Sequence, residues 1–439
     1  MSALTFHPGR LQGTAAVPPA KSQAHRALLL AALGTTPCRL TGFAQPLCDD
    51  VQAMIAGVRA LGATVEIQAD ALLVTPNAVP VSEEMVPCHV HACAAALRML
   101  IPAFLVRGQR VRFTMEPALF RRPQTAYDHL IASVGGSIRR IPGENGGYCS
   151  IEVEGRLPAG SYQIDGTQSS QFASGLLIAL SHCRDAAGNI APAKLQITGQ
   201  MVSRPYLDMT LTQMQNFGLQ YEESAPGRFT LQPRRVPSPE TVMVEGDWSQ
   251  AAVLMCVGAL GGNVSVSNLS ETSVQGDKAC MDVLSRMGLA KQDTDGALSM
   301  VLPAQAQLMP ATVDCSNIPD IAPILSLALS RAPGESVLTG VHRLTIKESD
   351  RLKATVETLA QLGTRATVEE NGDVLHIFGG SPLRGGFEAD ARGDHRLVML
   401  LAAAASAADG PITVHGVEAI TKSWPGFFDT IKQLGGIIA

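Results

Sequence analysis

The amino-acid sequence predicts a mixed α/β protein of two domains, each an inside-out α/β barrel of three repeated units with buried apolar helices and outer mixed sheets. Two observations predict this class: an apolar helical segment that returns six times, and short β-branched segments between the helices. Of the 439 residues, 46% are hydrophobic and 17% are charged. This composition is ordinary for a globular chain of two or more domains.

The apolar helical segments recur at nearly constant spacing. Successive starts lie 71, 75, 79, 70 and 76 residues apart. The starts are Arg26, Leu97, Phe172, Ala251, Ile321 and Leu397. An amphipathic helix follows each one and ends at a glycine: Gly62, Gly135, Gly218, Gly288, Gly363 and Gly435. Because the apolar helices need burial on every side, three of them packed together would form the interior of one domain.

Short alternating or β-branched segments lie between the helices and predict strands. They are residues 64–67, 111–114, 148–153, 194–197, 263–266 and 412–415. The sixth unit ends soon after Gly435, so the strand that it lacks has to come from the N-terminal LTFHPG segment. We therefore expect residues 1–17 plus 242–439 to form one domain and residues 18–241 the other, with an active site in the cleft between them.

Composition excludes several classes of partner. The net charge of −5 and the 4% aromatic content give no basic or stacking surface for nucleic acid. No apolar run of about 18 residues indicates a membrane span, and the N-terminus lacks the apolar stretch of a signal peptide. Nine cysteines without a CxxC pair fit reduced thiols. We expect a cytoplasmic monomer that binds small anionic ligands.

The clearest chemistry lies at the starts of the apolar helices. Lys21, Ser22 and Arg26 stand at the first one, in KSQAHRALLLAALG. A helix N-terminus carries a partial positive charge, so cations there favour a phosphate or carboxylate ligand. The third helix opens with TQSSQ at residues 167–171, which offers donors to a phosphate or to hydroxyls. Ordinary N-capping by a serine or threonine is the alternative for this segment.

Other candidates precede the amphipathic helices. Arg122 and Ser203 each stand shortly before a proline that fits a first helical turn, and a solvated arginine beside a helix start is the alternative. The IKESDR segment, residues 346–351, is the densest charged motif, with Lys347, Glu348 and Arg351 at helical spacings. These three side chains are predicted to converge on one ligand, although a charged run is more often a solvated face.

Three further charged residues complete the candidate set. Asp320 opens the fifth apolar helix and is either a favourable N-terminal carboxylate or a general base towards a sugar-like hydroxyl. Arg396 opens the sixth apolar helix after Asp394, and Lys422 precedes the last amphipathic helix. Surface charge is the alternative for these cations, but Arg396 faces the same helix dipole as Arg26.

Nine of these motifs, in order over essentially the whole chain, resemble the 5-enolpyruvylshikimate-3-phosphate (EPSP) synthase family. They are KSQAHRALLLAAL, GTQSSQF, VSRPYLDMT, VEGDWSQAA, VQGD, IPDIAP, IKESDR, GDHR and TKSWPGFF. The resemblance implies two domains of three units each. It also implies transfer of the enolpyruvyl group from phosphoenolpyruvate to the 5-hydroxyl of shikimate 3-phosphate, in aromatic amino acid biosynthesis, without a metal or cofactor.

The resemblance also implies roles for individual residues. Those implied for shikimate 3-phosphate are Ser22, Arg26, Ser169, Ser170, Gln171, Ser203, Tyr206, Asp320 and Lys347. Those implied for phosphoenolpyruvate are Lys21, Arg122, Gln171, Arg351, Arg396 and Lys422. Asp320 would take the 5-hydroxyl proton, while Glu348 and Lys21 would handle proton transfer at the methylene carbon and the leaving phosphate.

One segment departs from the family pattern. Where the family has Gly-Asn-Ala-Gly-Thr-Ala-Met-Arg, this chain has HACAAALR at residues 91–98. The methyl group of Ala94 then crowds a place where the backbone should approach phosphoenolpyruvate closely. We expect a working enzyme with weakened phosphoenolpyruvate binding and reduced sensitivity to glyphosate, which occupies that subsite in the family.

Three alternatives stay open at this point. The chain could be a catalytically impaired homologue that still binds shikimate 3-phosphate. It could be the sister UDP-N-acetylglucosamine enolpyruvyl transferase, which shares the fold and uses a loop cysteine. It could also be a metal-binding protein that uses Cys88, His89, His91 and Cys93. These four are closer together than most zinc-ligand pairs, and alternate strand residues point to opposite faces.

Overall fold

The computed structural model describes residues 2–43, 46–77, 84–234 and 236–439. Its helices are α1 Lys21–Leu33, α2 Asp49–Ala60, α3 Ala94–Arg107, α4 Pro117–Phe120, α5 Asp128–Ser133, α6 Ser170–Leu180, α7 Arg204–Asn216, α8 Trp248–Cys256, α9 Cys280–Arg286, α10 Ala322–Leu329, α11 Arg351–Gln361, α12 His395–Ala405 and α13 Phe427–Gln433.

The strands alternate with these helices along the chain. The first twelve are β1 Ala3–His7, β2 Gln12–Ala16, β3 Cys38–Thr41, β4 Thr64–Ile67, β5 Ala71–Thr75, β6 Val86–His91, β7 Val111–Met115, β8 Ser137–Ile141, β9 Cys149–Glu154, β10 Ser161–Asp165, β11 Ala193–Thr198 and β12 Gln220–Ala225. The remaining strands are β13 Arg228–Gln232, β14 Thr241–Met243, β15 Asn263–Ser267, β16 Ala290–Thr294, β17 Ala297–Val301, β18 Thr312–Asp314, β19 Gly334–Thr339, β20 Arg365–Val368, β21 Val374–Gly379, β22 Phe387–Asp390, β23 Ile412–His415 and β24 Ile437–Ile438.

The six predicted apolar helices are all present, as α1, α3, α6, α8, α10 and α12. The amphipathic helices α2, α5, α7, α9, α11 and α13 each follow one of them in the chain. Each ends just before a glycine whose φ angle is between 71° and 109°. Only glycine adopts this left-handed backbone without a steric cost, which explains why the glycines return in phase. The mixed α/β class and its six-fold repeat are confirmed.

The strands form six four-stranded sheets with one shared pattern. Their orders are β14-β3-β5-β4, β6-β7-β9-β8, β10-β11-β13-β12, β2-β15-β17-β16, β18-β19-β21-β20 and β22-β23-β1-β24. In each sheet one pair is parallel and the other two are antiparallel. The N-terminal strand β1 lies between β23 and β24 and supplies the strand that the sixth unit lacks.

Contacts divide the chain into two compact units. Unit 1 comprises Met1–Pro18 and Glu245–Ala439, and unit 2 comprises Pro19–Val244. The second crossing lies slightly later than the expected position after residue 241, because β14 pairs with β3 inside unit 2.

Each unit has its own hydrophobic core built on three of the apolar helices. In unit 2, α3 packs against α1 and α6, and these helices are buried along nearly their whole lengths. In unit 1, α8, α10 and α12 pack against one another in the same way. Enclosure on all sides leaves only the helix ends near solvent, and several polar candidates lie at the starts of these helices, among them Lys21, Ser170 and Arg396. Within the described residues, no helix has the length and apolar character needed to cross a membrane.

Candidate active site

The start of α1 carries an ion pair. Lys21 Nζ lies 2.8 Å from Asp50 Oδ2, at the start of α2, and the Asp50 side chain is 7% exposed. No acidic residue lies in the first turn of α1, and no side chain caps it. Asp50 therefore provides local negative charge beside a cation at a helix N-terminus. An anionic ligand would compete with this carboxylate for Lys21.

Arg26, one turn further along α1, is 1% exposed. Its Nε donates to Thr210 Oγ1 at 2.7 Å, and one Nη donates to Ser174 Oγ at 3.2 Å. The Nη groups also donate to the backbone carbonyls of Ser22 and Tyr206, at 2.6 and 2.9 Å. All four acceptors are neutral oxygens, and burial lowers the pKa of Arg26 to about 10. The arginine brings α1 and the start of α7 together as a buried positive charge.

The start of α6 combines an ordinary cap with a second cation. Ser169 is the N-cap, and its Oγ accepts from the backbone N–H of Gln171 at 3.3 Å. Ser170 follows it and is buried. Gln171 Oε1 accepts from Arg98 Nη1 at 3.0 Å. The Arg98 guanidinium lies 4.7 Å from the centre of the Phe172 ring.

Arg98 was not singled out from the sequence, although an arginine inside an apolar helix is a recognisable signal. It is 5% exposed, and its Nε donates to Gln124 Oε1 at 3.2 Å. Its remaining Nη donates to the carbonyl of Pro123 at 3.0 Å. Arg98 thus ties α3 and α6 to the loop that carries Arg122. It holds Gln171 and this loop in place.

The prediction that Pro123 begins an amphipathic helix is wrong. Residues 121–127 are non-helical, and α5 begins only at Asp128. Arg122 therefore lies in a loop, where it is partly buried. The carbonyl of Pro123 is taken by Arg98 rather than by a helical N–H, which keeps this loop out of the helix.

The corresponding prediction for Pro205 is correct, because this proline lies in the first turn of α7. Ser203 precedes the helix with φ of 54° and is 3% exposed. Arg204 forms ion pairs with Asp208 and Glu223, at 2.6 and 2.8 Å. Tyr206 remains half-buried at the helix start beside Arg26.

Residues 91–98, which depart from the family pattern, comprise the irregular end of β6, where the register with β7 shifts and His91 has a φ of 48°, and the start of α3. Cys93 is the N-cap of α3, and its sulfur accepts from the N–H of Ala96 at 3.4 Å. Ala94 begins the helix and is buried. His89 Nε2 lies 3.0 Å from His91 Nδ1, whereas Cys88 and Cys93 are buried in the core. In the part of the chain that the structure describes, no group of three or more His, Cys, Asp or Glu residues could hold a metal ion.

In unit 1 the IKESDR segment is organised around one buried arginine. Arg351 is 1% exposed, and its Nε and one Nη donate to Asp394 at 2.8 and 3.1 Å. It also donates to Asp320 Oδ1 at 3.1 Å and to Glu348 Oε2 at 2.7 Å. These three carboxylates raise the pKa of Arg351, outweighing the effect of its burial. Ser349 Oγ donates to Asp394 as well, at 3.1 Å.

Asp320 lies in the turn before α10 and accepts from Lys347 Nζ at 2.9 Å. Burial opposes ionisation of this carboxyl, but Lys347, Arg396 and Arg351 outweigh it and hold its pKa well below the usual value. Burial lowers the pKa of Lys347, while Asp320 opposes that shift. The result is an ionised carboxylate between two cations.

The helical spacing predicted for Lys347, Glu348 and Arg351 is wrong. α11 begins at Arg351 with Asp350 as its N-cap, and residues 347–349 form a bend before it. Lys347 and Glu348 still approach Arg351 and Asp320, because the bend folds back on the helix start. The convergence therefore comes from ion pairs rather than from one helix face.

The start of α12 is buried rather than exposed. Asp394 is 0% exposed, caps α12 by accepting from the N–H of Arg396 at 2.9 Å, and pairs with Arg351. Arg396 Nη1 donates to the carbonyl of Ser249 at 3.2 Å. Lys422 ends a short 3-10 helix and is 8% exposed. Surface charge, the alternative interpretation of these residues, is excluded by their burial.

Asp277, in the VQGD motif, is a further buried carboxyl that lies near this cluster. Its Oδ2 accepts from Ser249 Oγ at 2.5 Å, and the residue is 2% exposed. Burial first, and then repulsion by Asp320, raise its pKa to about 7, although Arg396 opposes the shift. Two nearby carboxyls therefore have pKa values shifted in opposite directions. Asp320 is ionised, and Asp277 titrates near neutral pH.

We predict that Asp394→Asn will lower the free energy of unfolding of unit 1 by about 3–5 kcal/mol, because it leaves buried Arg351 short of negative charge. The asparagine keeps the oxygen that caps α12. The matched control is Glu271→Gln in the exposed pair with Lys291, for which we expect a loss below about 1 kcal/mol. Urea denaturation measures both, and equal small losses would contradict the prediction.

We predict a pH dependence from Asp277. Its folded pKa of about 7 lies above the unfolded value of 3.8, so the folded state holds a proton that the unfolded state has lost between these values. Stability of the wild type should therefore fall relative to Asp277→Asn as the pH rises through this window, and level off above it. Denaturation midpoints of both proteins, measured from about pH 4 to about pH 8, test this. If the difference between the two midpoints does not change with pH, the raised pKa of Asp277 is wrong.

A family model described as EPSP synthase (3-phosphoshikimate 1-carboxyvinyltransferase) matches residues 6–431. The chain is 32% identical to the 3-phosphoshikimate 1-carboxyvinyltransferase of Clostridium beijerinckii, over 100% of this chain and 98% of the relative. It is 31% identical to the enzyme of the same name from Clostridium perfringens, over 100% and 99%.

Solved structures show the same fold. The EPSP synthase of Acinetobacter baumannii superposes with a TM-score of 0.77 at 21% identity, covering 100% of both chains. The enolpyruvyl transferase NikO of Streptomyces tendae gives a TM-score of 0.77 at 18% identity, covering 100% of this chain and 98% of that one. With a family match over nearly the whole length and curated relatives above 30% identity, the chain belongs to the EPSP synthase family.

Proposed function

We propose that this chain transfers the enolpyruvyl group from phosphoenolpyruvate to the 5-hydroxyl of shikimate 3-phosphate, giving 5-enolpyruvylshikimate 3-phosphate and phosphate in aromatic amino acid biosynthesis. The family match supports this activity. The observation that carries it is the ionised Asp320 held by Lys347 and Arg351, a base beside cations. The proposed enzyme needs no metal or cofactor and acts as a cytoplasmic monomer.

Unit 2 supplies most of the proposed binding groups for shikimate 3-phosphate. Buried Arg26 has only neutral acceptors, so a phosphate nearby would supply the negative charge that these acceptors lack. Hydroxyls at the helix starts would donate to the phosphate and the ring oxygens. The proposed residues are Ser22, Arg26, Ser169, Ser170, Gln171, Ser203 and Tyr206, together with Asp320 and Lys347 of unit 1.

Phosphoenolpyruvate carries a phosphate and a carboxylate, so the proposed binding groups for it are mainly cationic side chains. The proposed residues are Lys21, Arg122, Gln171, Arg351, Arg396 and Lys422. Buried guanidinium and ammonium groups stabilise such an anion more strongly than exposed ones, because water screens them less. Asp50 and Asp394 hold two of these cations by ion pairs, which fixes where Lys21 and Arg351 lie.

The proposed chemistry proceeds by addition and elimination. The 5-hydroxyl oxygen attacks C2 of phosphoenolpyruvate and gives its proton to Asp320, while C3 gains a proton from Glu348 or Lys21. In the resulting tetrahedral intermediate, C3 then returns a proton to the group that supplied it, and the C2–O bond to phosphate breaks to release phosphate. The cations beside Asp320 hold its pKa well below the usual value, which makes the carboxylate a weak base. We infer that substrate anions beside Lys347 and Arg351 offset part of their positive charge and so raise the basicity of Asp320.

We predict that Lys21→Ala will reduce phosphate release from shikimate 3-phosphate and phosphoenolpyruvate by at least about 100-fold, because one lost transition-state donor costs this much. Lys194→Ala, an exposed lysine of β11 in the same unit, is the charge-matched control and should keep wild-type turnover. Phosphate release at the wild-type rate in Lys21→Ala would show that this lysine is not required for the reaction. No release in the wild type, with shikimate 3-phosphate still bound by calorimetry, would favour the impaired homologue.

The same assay separates the sister transferase. Replacing shikimate 3-phosphate by UDP-N-acetylglucosamine should abolish phosphate release, because the proposed site offers hydroxyls and cations for a small carbocyclic phosphate. Turnover with the UDP-linked sugar alone would overturn the choice of acceptor while leaving enolpyruvyl transfer intact.

We predict that Ala94→Gly will lower the KM for phosphoenolpyruvate and raise sensitivity to glyphosate, each by about ten-fold. Ala94 is buried in the first turn of α3, so its methyl group is fixed where the proposed substrate approaches the backbone. Ala95→Gly, at the next and less buried position, is the control for the loss of helix propensity. Unchanged KM and glyphosate inhibition in Ala94→Gly would show that the methyl group of Ala94 does not limit the binding of phosphoenolpyruvate.

A further inference from the structure

Two of the motifs found in the sequence meet in unit 1, at the start of α8. They are VEGDWSQAA, residues 244–252, and VQGD, residues 274–277. None of their residues belongs to the proposed set that binds the two substrates. The hydrogen bonds between the motifs, together with one from Arg396, indicate what they do.

The first turn of α8 is satisfied by the chain itself. Asp247 is the N-cap, and its Oδ1 accepts from the backbone N–H groups of Ser249 and Gln250, at 2.9 and 3.3 Å. The N–H of Trp248 donates to Gln275 Oε1 at 3.0 Å. The start of α8 therefore does not need an anionic ligand, in contrast to the uncapped start of α1.

Gln275 also holds the segment that leads into α8. Its Nε2 donates to the carbonyl of Gly246 at 2.9 Å and to Glu245 Oε1 at 2.8 Å. Ser273 Oγ donates to the same carboxylate oxygen at 2.6 Å. Gln275 is buried, so water competes little for these hydrogen bonds. One amide thus fixes residues 245–248 through both of its polar ends.

Asp277 and Ser249 extend this network to Arg396. The Ser249 hydroxyl donates to Asp277 Oδ2 at 2.5 Å, and the Ser249 carbonyl accepts from Arg396 Nη1 at 3.2 Å. All three residues are buried. Because the two hydrogen bonds use two groups of one residue, the position of the Ser249 carbonyl depends on Asp277, and so does that of the Arg396 guanidinium.

Arg396 needs such a support because of where it lies. It is in the first turn of α12, where the helix dipole disfavours a cation. Asp394 caps this turn, but its carboxylate also pairs with Arg351. A long arginine side chain loses rotamer freedom when it binds an anion, and a hydrogen bond that already holds the guanidinium removes part of that cost.

We propose that Gln275 and Asp277 are positioning residues for the reaction: they fix the start of α8, and the Ser249 carbonyl then holds the Arg396 guanidinium where phosphoenolpyruvate binds. This inference rests on the proposed function, which assigns Arg396 to phosphoenolpyruvate. In this assignment Gln275 and Asp277 contact neither substrate and transfer no proton. They affect the binding of phosphoenolpyruvate and leave that of shikimate 3-phosphate unchanged.

The first test is Asp277→Ala, assayed at about pH 6, where the wild-type carboxyl is mostly protonated because its pKa is about 7. The variant then differs from the wild type mainly by the lost hydrogen bond. We expect the KM for phosphoenolpyruvate to rise about ten-fold and the KM for shikimate 3-phosphate to stay within about two-fold, because only the charge-assisted contact of Arg396 weakens.

Two variants accompany it. Asp277→Asn keeps an oxygen that accepts from Ser249 and should restore most of the wild-type KM for phosphoenolpyruvate. Gln275→Ala releases the N–H of Trp248 and should raise the same KM. Equal rises in both KM values, or a fall in kcat alone, would indicate a general loss of structure and overturn the proposal.

A double-mutant cycle tests whether Asp277 acts through Ser249. Ser249→Ala removes the hydroxyl but keeps the carbonyl, so it should raise the KM for phosphoenolpyruvate as Asp277→Ala does, and the double variant should be no worse than either. Multiplied effects would contradict this route. The control for lost stability is Ser336→Ala, which removes a buried hydroxyl that accepts from the N–H of Ala311 at 3.2 Å in unit 1 and should change neither KM.

A crystal structure of Asp277→Ala without substrates separates this inference from the proposed function. We expect the Arg396 guanidinium to lie beyond hydrogen-bond distance of the Ser249 carbonyl. If the wild type releases no phosphate but the variant shows this displacement, the proposed reaction is wrong and the support of Arg396 is confirmed. If the wild type turns over and the variant keeps both the contact and the KM, the positioning role is wrong.

Discussion

Burial of helices that are apolar on every side is the constraint on which this fold depends. A helix such as α1 or α3 has no face that can meet water, so it must be enclosed by other helices and by sheets. Enclosure leaves only its two ends for polar groups. Each end also leaves backbone N–H or C=O groups without helical partners. The chemistry of the chain therefore collects at helix ends, and the repeat multiplies those ends.

Charges placed at such ends are expensive to bury, and the chain offsets this cost by pairing them. Arg351 meets three carboxylates, and Lys21 meets Asp50. A pair of this kind adds little net stability compared with an apolar replacement, yet breaking it is costly. Its value lies in position: each cation is fixed before a ligand arrives, so binding requires little reordering of side chains. Arg26 differs, because its four acceptors among the described residues are neutral oxygens.

Much of the fold could be predicted because local signals repeat. Apolar runs and in-phase glycines predict the six helix pairs, and a missing strand predicts the position of β1. The errors occur where a distant contact decides local structure. Pro123 stays outside a helix because Arg98 takes its carbonyl, and Lys347 reaches Asp320 across a bend. Burial of Asp394 likewise depends on Arg351, 43 residues away, and no local pattern contains that information.

The two ends of the helices in unit 2 differ in what an anion requires there. At the start of α1 the dipole itself attracts negative charge, and the carboxylate of Asp50 lies there beside Lys21. At the opposite end the dipole repels an anion, and only an excess of arginines reverses the sign. Such an excess lowers stability through mutual repulsion unless something compensates it. Arg107 is compensated by the carbonyl of Ala32 and Arg184 by that of Gly188, whereas Arg156 and Arg234 are exposed, so water screens their charges.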